Sequence, residues 1–110
     1  MVTTNQARRE AVFRSLADPT RRRILQILRG GDRTVGDLAG HFRVSRPAIS
    51  KHLRVLEAAR LVVARQQGAA RLCALNAKPL RLVNDWLRDY EAYWGDTLGS
   101  LKRYVEEGRR

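Results

Sequence analysis

Apolar residues recur every three or four positions along most of this chain, which is the spacing of one face of an α-helix. Short polar or glycine-containing breaks divide this pattern into five segments. The spacing predicts helices over residues 5–16, 19–28, 34–42, 45–59 and 78–107. The third and fourth are amphipathic and separated by a tight turn at Arg43–Val44, which is the layout of a helix-turn-helix.

The residues at the breaks favour the same boundaries. Asp18, Thr34 and Ser45 each stand directly before a helical segment, where a side-chain oxygen accepts a hydrogen bond from a free backbone N–H. Pro19 and Pro47 lie in the first turns that follow, where the missing N–H of proline does no harm. We therefore expect three side-chain N-caps at these positions.

Residues 61–76 change to a strand-like pattern. Leu61–Arg65 and Arg71–Leu75 are separated by five polar or small residues that include Gly68, which predicts a β-hairpin with a small tip. A helix-turn-helix followed by such a hairpin is a winged helix. We therefore predict one domain over residues 1–110 that is mainly α, with about five helices and a two-stranded wing at 62–75.

The last predicted helix, residues 78–107, is rich in aromatic and aliphatic side chains. A helix of that length spans about 45 Å, which is more than a domain of this size covers by itself. We predict that it is a dimerisation helix; folding back into the core of the same subunit is the alternative. Gly95 and Gly99 either permit a close helix crossing or break the helix, since each costs about 1 kcal/mol relative to Ala. The predicted interface residues are Phe13, Leu16, Leu80, Val83, Leu87, Tyr90, Trp94, Leu98 and Leu101.

The charge is strongly positive and unevenly distributed. The formal net charge is +11, from 22 basic and 11 acidic side chains, and 19 of the basic residues are Arg. Residues 1–77 hold 15 basic and 5 acidic side chains, whereas residues 78–107 hold 5 basic and 6 acidic ones. Because arginine grips phosphate and guanine edges bidentately, we expect the first two-thirds of the chain to face nucleic acid. A soluble domain from an Arg-rich proteome is the alternative.

The fourth predicted helix, residues 45–59, carries its polar residues opposite its apolar ones on a helical wheel. In a helix-turn-helix this helix lies in the DNA major groove, with its N-terminal residues at the base edges. Arg46 and Lys51 suit guanine, Ser50 suits several bases, and Pro47 and Ala48 suit the methyl group of thymine. A solvated polar face is the alternative. The predicted DNA contacts from this helix are Ser45, Arg46, Pro47, Ala48, Ser50, Lys51 and Arg54.

Several arginines are placed for the phosphate backbone. Arg54 lies farther along the same polar face, and Arg65 and Arg71 flank the tip of the hairpin. Arg21 and Arg22 stand at the start of the second helix, where free backbone N–H groups also attract anions. For each of them a solvated surface charge is the alternative. The predicted partner is double-stranded DNA.

Other classes of function have less support. The two His and the single Cys73 form no nucleophile–base pattern, and no Gly-rich phosphate loop is present, so we expect no enzyme. No apolar run approaches the ~20 residues of a membrane span, and the N-terminus lacks the apolar core of a signal peptide, so we expect a cytoplasmic protein. We expect a packing role for Cys73, with a redox sensor as the alternative, and a partly buried, hydrogen-bonded structural role for His52. The alternative function is a basic helical module that binds RNA or an acidic protein partner.

Three segments resemble the ArsR/SmtB family of bacterial winged-helix repressors. They are LADPTRRRILQIL at 16–28, VSRPAISKHLRVLEAARLV at 44–62, and a Gly-tipped wing that ends in LCALN. The resemblance implies a homodimer that is joined through its first and last helices and binds a palindromic operator. It also implies repression of transcription, usually of the protein's own operon.

The resemblance also bears on metal binding. Many members bind metals through a Cys-Val-Cys on the third helix, but the equivalent residues here are Thr34, Val35 and Gly36. A second family site uses His and carboxylates on the last helix, and residues 78–107 contain carboxylates but no His. The resemblance therefore implies a branch without these sites, and we predict no metal and no cofactor. The nature of any effector stays open, including a metal at the dimer interface.

Two features depart from the family pattern. Arg60 stands where relatives often have the glycine that ends the recognition helix, and a left-handed conformation there would cost this arginine about 1 kcal/mol. Ala69 and Ala70 occupy the wing tip, where charged residues are common.

Overall fold

The computed structural model describes residues 4–94, which form a winged helix-turn-helix. The α-helices are α1 (Thr4–Leu16), α2 (Pro19–Leu28), α3 (Val35–Ala39), α4 (Arg46–Ala58) and α5 (Leu80–Arg88), and the strands are β1 (Arg33–Thr34), β2 (Val62–Gln67) and β3 (Ala70–Leu75). A 3₁₀-helix, Glu91–Trp94, follows α5. The five predicted helices and the predicted wing are therefore all present within this range. None of the helices in residues 4–94 is long and apolar enough to cross a membrane.

The wing belongs to a three-stranded antiparallel sheet, in the order β1-β3-β2. Strands β2 and β3 pair from Val62–Leu75 to Gln67–Ala70, and Gly68 takes a positive φ of 60° in the turn between them. The predicted two-stranded wing is confirmed as β2 and β3, and the structure adds a third strand to it, because β1 pairs with β3 through Arg33–Cys73 and Thr34–Leu72. This third strand joins the base of the wing to the start of α3.

Side-chain N-caps begin three of the helices, as predicted. The carboxylate of Asp18 accepts a hydrogen bond from the backbone N–H of Arg21 at 3.0 Å. The hydroxyl of Thr34 accepts from the N–H of Asp37 at 3.1 Å, and that of Ser45 accepts from Ala48 at 3.3 Å. Each cap satisfies a backbone donor that the helix leaves free, and thereby fixes where the chain turns.

The core lies between α1, α2, the helix-turn-helix and the sheet. Its fully buried side chains come from every part of the domain and include Val12, Ile24, Leu38, Ile49 and Leu56. The thiol of Cys73 is also buried in this core, and burial raises its pKa. Because the thiolate is the reactive form, this environment suits the packing role that was expected of Cys73.

The helix predicted over residues 78–107, for which a break at Gly95 or Gly99 was left open, already ends its first α-helical part at Arg88. Helix α5 ends at Arg88, and the N–H groups of Asp89 and Tyr90 donate to the carbonyls of Trp86 and Leu87, three residues earlier. These tighter hydrogen bonds break the α-helical ladder at residues with low helix propensity. The predictions for Leu98, Leu101, Gly95 and Gly99, like the rest of the predicted dimerisation helix beyond 94, concern residues outside the described range.

Arg60 ends α4 in the left-handed conformation, with φ 63°. Its N–H donates to the carbonyl of Glu57, and the N–H of Leu61 donates to that of Leu56, which is the Schellman arrangement. Among residues 4–94, Arg60 is the only residue other than glycine with a positive φ. Arg60 therefore has the left-handed, strained backbone conformation that was considered for it from the sequence.

Replacing Arg60 by glycine is expected to stabilise the fold. Glycine adopts this φ without the clash that arginine suffers, and the gain exceeds the added entropy of the unfolded chain, so Arg60→Gly raises the free energy of unfolding by about 0.5–1 kcal/mol. Urea denaturation measures the change. The matched control is Ala59→Gly, which removes a buried methyl group at an ordinary φ of −81° and lowers stability instead. A loss of stability in Arg60→Gly contradicts the strain argument.

Candidate nucleic-acid interface

Helix α4 divides sharply into a buried face and an exposed face. Ile49, Leu53 and Leu56 are at most 3 % exposed and anchor the helix against the core. The opposite face presents Lys51 and Arg54, which are both exposed. The helix is therefore held rigidly from behind, while its polar side lies open to a large partner.

The N-terminal end of α4 is the most accessible part of this face. Ser45, Arg46 and Pro47 are exposed, whereas Ala48 and Ser50 are half-buried. The guanidinium of Arg46 lies over α3, with Nη1 3.9 Å from where a Cβ on Gly36 would stand. The seven residues predicted to read DNA thus share one continuous surface at the start and along the outer side of α4.

The wing presents two arginines with different surroundings. Arg65 on β2 is exposed, and no ion pair or hydrogen bond involves its side chain within residues 4–94. Arg71 on β3 instead donates from Nη2 to Oε1 of Glu57 at 2.6 Å, and this hydrogen bond raises the pKa of Arg71. Since Glu57 belongs to the last turn of α4, the pair connects the wing to the recognition helix.

Arg21 and Arg22 both donate to backbone carbonyls of their own subunit, although Arg22 is exposed. Arg21 is half-buried, and its guanidinium donates to the backbone carbonyls of Ser15 at 2.9 Å and Arg14 at 2.7 Å. Arg22 donates to the carbonyl of Leu16 at 2.6 Å. These arginines therefore satisfy the free carbonyls at the C-terminal end of α1. No feature of the sequence marks them out for this contact, because it joins two helices across a turn.

His52 connects the recognition helix to the start of α2. Its Nδ1 lies 3.4 Å from Nη1 of Arg21 and 3.8 Å from Oδ2 of Asp18, and the side chain is half-buried. The backbone N–H of Arg21, with the charge of His52, holds the pKa of Asp18 below its ordinary value of 3.8. The stability that this carboxylate contributes is complete above pH 3.8 and is lost as the pH falls through the lower folded pKa.

An aromatic row, defined as Phe13, Trp86, Tyr90 and Tyr93, crosses α1, α5 and the 3₁₀-helix. Successive ring centroids lie 5.3, 4.9 and 6.5 Å apart. Tyr90 is 43 % exposed and Tyr93 is 84 % exposed, and Trp94 beside them is 45 % exposed. A row of edge-to-face and tilted rings with an exposed end is typical of an interface.

The predicted interface residues fall into two groups. Phe13 and Tyr90 belong to the aromatic row. Leu16, Leu80 and Val83 instead pack partly against the core of their own subunit. The inner side of α5 thus packs within its own subunit, as the alternative to dimerisation proposed, while its outer side is exposed to solvent. Trp86 and Tyr93 were not among the predicted contacts, and the distances between the rings identify them.

Metal-binding side chains are scattered in the described part of the chain. Within residues 4–94, no three His, Cys, Asp or Glu side chains group closely enough to hold a metal ion.

Comparisons with known proteins agree with this architecture. Residues 18–63 match the model of the family described as "Bacterial regulatory protein, arsR family". The chain is 40 % identical to the transcriptional repressor SdpR of Bacillus subtilis, over 72 % of this chain and 88 % of that protein. It is 36 % identical to the HTH-type transcriptional regulator Rv2034 of Mycobacterium tuberculosis, over 88 % of each chain. A crystal structure of an ArsR family transcriptional regulator superposes with a TM-score of 0.76 at 33 % identity, over 87 % of this chain and 98 % of that one. These relatives are regulators of transcription and not enzymes.

Proposed function

This chain belongs to the ArsR family and is a DNA-binding regulator of transcription, and from that premise we propose that it is a homodimeric repressor of a palindromic operator. We propose that the operator lies at the protein's own operon. One observation supports the proposal above others: the exposed face of α4 is polar and cationic, whereas its opposite face is locked into the core. A helix held in this way suits insertion into a major groove.

The proposed reading surface is the start of α4. Arg46 and Lys51 donate to guanine O6 and N7, Ser50 bonds to a neighbouring base, and the apolar Pro47 and Ala48 contact thymine methyl groups. Ser45 caps the helix at the same end, where backbone N–H groups favour an anionic partner. Direct readout is thus assigned to the first two turns of the helix.

The proposed phosphate contacts surround this surface. Among the described residues, Arg54 on α4 and Arg65 on β2 have guanidinium groups without a partner, and Arg22 has donors beyond the one that binds the carbonyl of Leu16. Arg21 and Arg71 were also predicted to contact DNA, and the proposal now gives them positioning roles because their guanidinium groups bind within the subunit. Arg71 sets the position of the wing, and Arg21 sets that of α1 against α2.

The proposed dimer places two copies of α4 in successive major grooves. These grooves lie about 34 Å apart on one side of the duplex, so the operator consists of two half-sites with that spacing. Phe13, the outer side of α5 and the 3₁₀-helix form the proposed interface, since they carry the aromatic row and residues 78–107 are nearly neutral. The remaining surface is too positive for two copies to approach closely.

Replacing Arg46 and Arg54 separately tests the division between base reading and phosphate binding. We expect Arg46→Ala to weaken binding to the operator by about 30- to 25,000-fold and to change binding to a scrambled duplex much less, because each dimer loses two bidentate guanine contacts worth about 1–3 kcal/mol of discrimination each. Arg54→Ala should weaken binding to both duplexes by the same factor, since phosphate carries no sequence.

Fluorescence anisotropy with both duplexes at fixed salt measures these changes, after the operator is selected from randomised DNA. Arg29→Ala is the matched control, since Arg29 is exposed at the far end of α2 and its loss changes the charge equally. Equal losses on operator and scrambled duplex in Arg46→Ala contradict its role in base reading.

A further inference from the structure

A cavity of about 320 Å³ lies between α1, the end of α4 and the start of α5, away from the reading surface. Its apolar wall includes Val12, Ala59, Pro79 and Leu82. Cavities that bind small molecules begin at about 300 Å³ and combine apolar walls with a few polar groups. The space is therefore large enough for a small organic molecule.

The polar groups around this cavity are mostly cationic. Arg8 of α1, Arg60 at the end of α4, and Lys78 and Arg81 at the start of α5 line it, against a single carboxylate, that of Asp85. Within residues 4–94, none of the four cationic side chains makes a hydrogen bond or an ion pair. Four unpaired cations around one opening create a positive potential that an anion relieves.

Arg60 adds a second, independent observation. It is the non-glycine residue held at φ 63°, in a conformation that glycine takes without strain. The chain therefore carries a strained arginine where glycine would be unstrained, and the cationic side chain of this arginine lines the cavity. The carbonyl of Arg60 also accepts a hydrogen bond from Nδ2 of Asn76 at 2.8 Å, and its N–H donates to the carbonyl of Glu57. Both backbone polar groups of Arg60 are thus hydrogen-bonded.

We propose that this cavity binds a small organic carboxylate with an apolar body, and that binding weakens the hold on DNA. The carboxylate pairs with the arginines and Lys78, and the apolar body contacts the wall formed by α1, α4 and α5. Since the cavity is lined by the end of the recognition helix and by the helices of the proposed dimer interface, a ligand there moves α4 relative to α1 and α5. This regulatory half rests on the proposed function, whereas binding of the carboxylate does not.

Isothermal titration of the full chain with octanoate and with benzoate tests the binding step. Octanamide and benzamide, which have the same bodies without the charge, are the controls, and inorganic phosphate controls for charge without a body. We expect at least one carboxylate to bind, and its amide and phosphate to bind at least about tenfold more weakly. Binding of neither carboxylate, or equal binding of amide and carboxylate, overturns the proposal.

Substitutions locate the site. Arg60→Gly and Arg81→Gln should each weaken carboxylate binding about tenfold, since each removes one charge-assisted contact. Arg60→Gly keeps the fold by the strain argument above, and Arg29→Gln, an equal change of charge outside the cavity, should leave binding unchanged. If Arg60→Gly and Arg81→Gln bind the carboxylate as tightly as the control Arg29→Gln does, the assignment of the site to this cavity is overturned.

An operator titration tests the regulatory half. A saturating concentration of the bound carboxylate should weaken operator binding by the natural protein at least fivefold, and should have no effect on the Arg60→Gly, Arg81→Gln double variant. Unchanged operator affinity in the natural protein overturns the regulatory half. Failure of the ligand-free protein to select any duplex instead overturns the proposed function, and leaves the calorimetric result to decide the cavity.

Discussion

Raising the NaCl concentration from 50 to 200 mM is expected to weaken operator binding by a factor of about 10³ to 10⁵. That range corresponds to about 6–10 phosphate contacts, or three to five in each subunit of the proposed dimer. The exposed arginines supply this number: Arg54, Arg65 and Arg22 are proposed contacts, and Arg23 and Arg43 are exposed beside them. Each contact releases a counterion from the duplex. Added salt makes this release less favourable, and the affinity falls for that reason.

The slope of log Kd against log salt gives the measurement, because it counts the phosphate contacts. Arg54→Ala should reduce the magnitude of the slope by about 2, since each dimer loses two contacts of about 0.9 each. Arg29→Ala should leave the slope unchanged. A slope near zero contradicts the electrostatic interface. Equal or tighter binding of a structured RNA at matched salt favours the alternative, in which the basic face recognises RNA.

The features that sequence alone predicts are those governed by local rules. Asp18, Thr34 and Ser45 were expected as N-caps because a capping side chain bonds to a backbone group only three residues away. The division of α4 into two faces follows likewise from the spacing of its apolar residues. The sequence alone therefore predicts where the recognition helix begins and which of its faces is polar.

The features that sequence alone misses depend on contacts between distant segments. Arg71 has the same pattern as a DNA-binding wing arginine, but Glu57, 14 residues earlier, holds its guanidinium. The pairing of β1 with β3 joins residues nearly 40 positions apart, and two residues are too few to predict a strand. Arginine is equally suited to carbonyls, carboxylates and phosphates, so only the fold decides which partner each one meets.

Replacing Tyr93 by alanine is expected to weaken the proposed dimer by about 30- to 1,000-fold, because an aromatic residue at the centre of an interface is worth about 1–2 kcal/mol or more in each subunit. In a twofold interface one substitution removes two rings, so the loss is counted twice. Tyr93 is 84 % exposed in the isolated subunit, so its truncation leaves the fold of that subunit nearly unchanged.

Charge gives an independent reason for placing the dimer at this surface. Two copies of a chain with a net charge of +11 repel each other over most of their surface. Residues 78–94 hold 3 basic and 3 acidic side chains, so the proposed interface on this segment avoids most of that repulsion. The aromatic row lies mainly on this segment, which supplies apolar area where the repulsion is weakest.

Sedimentation velocity from 0.1 to 100 µM protein measures the association, with circular dichroism to confirm the fold. Val63→Ala is the matched control: Val63 is 56 % exposed on the wing strand β2, outside the proposed interface, and its loss should leave the dimer intact. Operator affinity should fall with the dimer in Tyr93→Ala, because a single subunit reaches only one half-site. A natural protein that sediments as one subunit throughout this range, or a Tyr93→Ala variant that dimerises as tightly as the natural chain, removes the basis for a twofold operator.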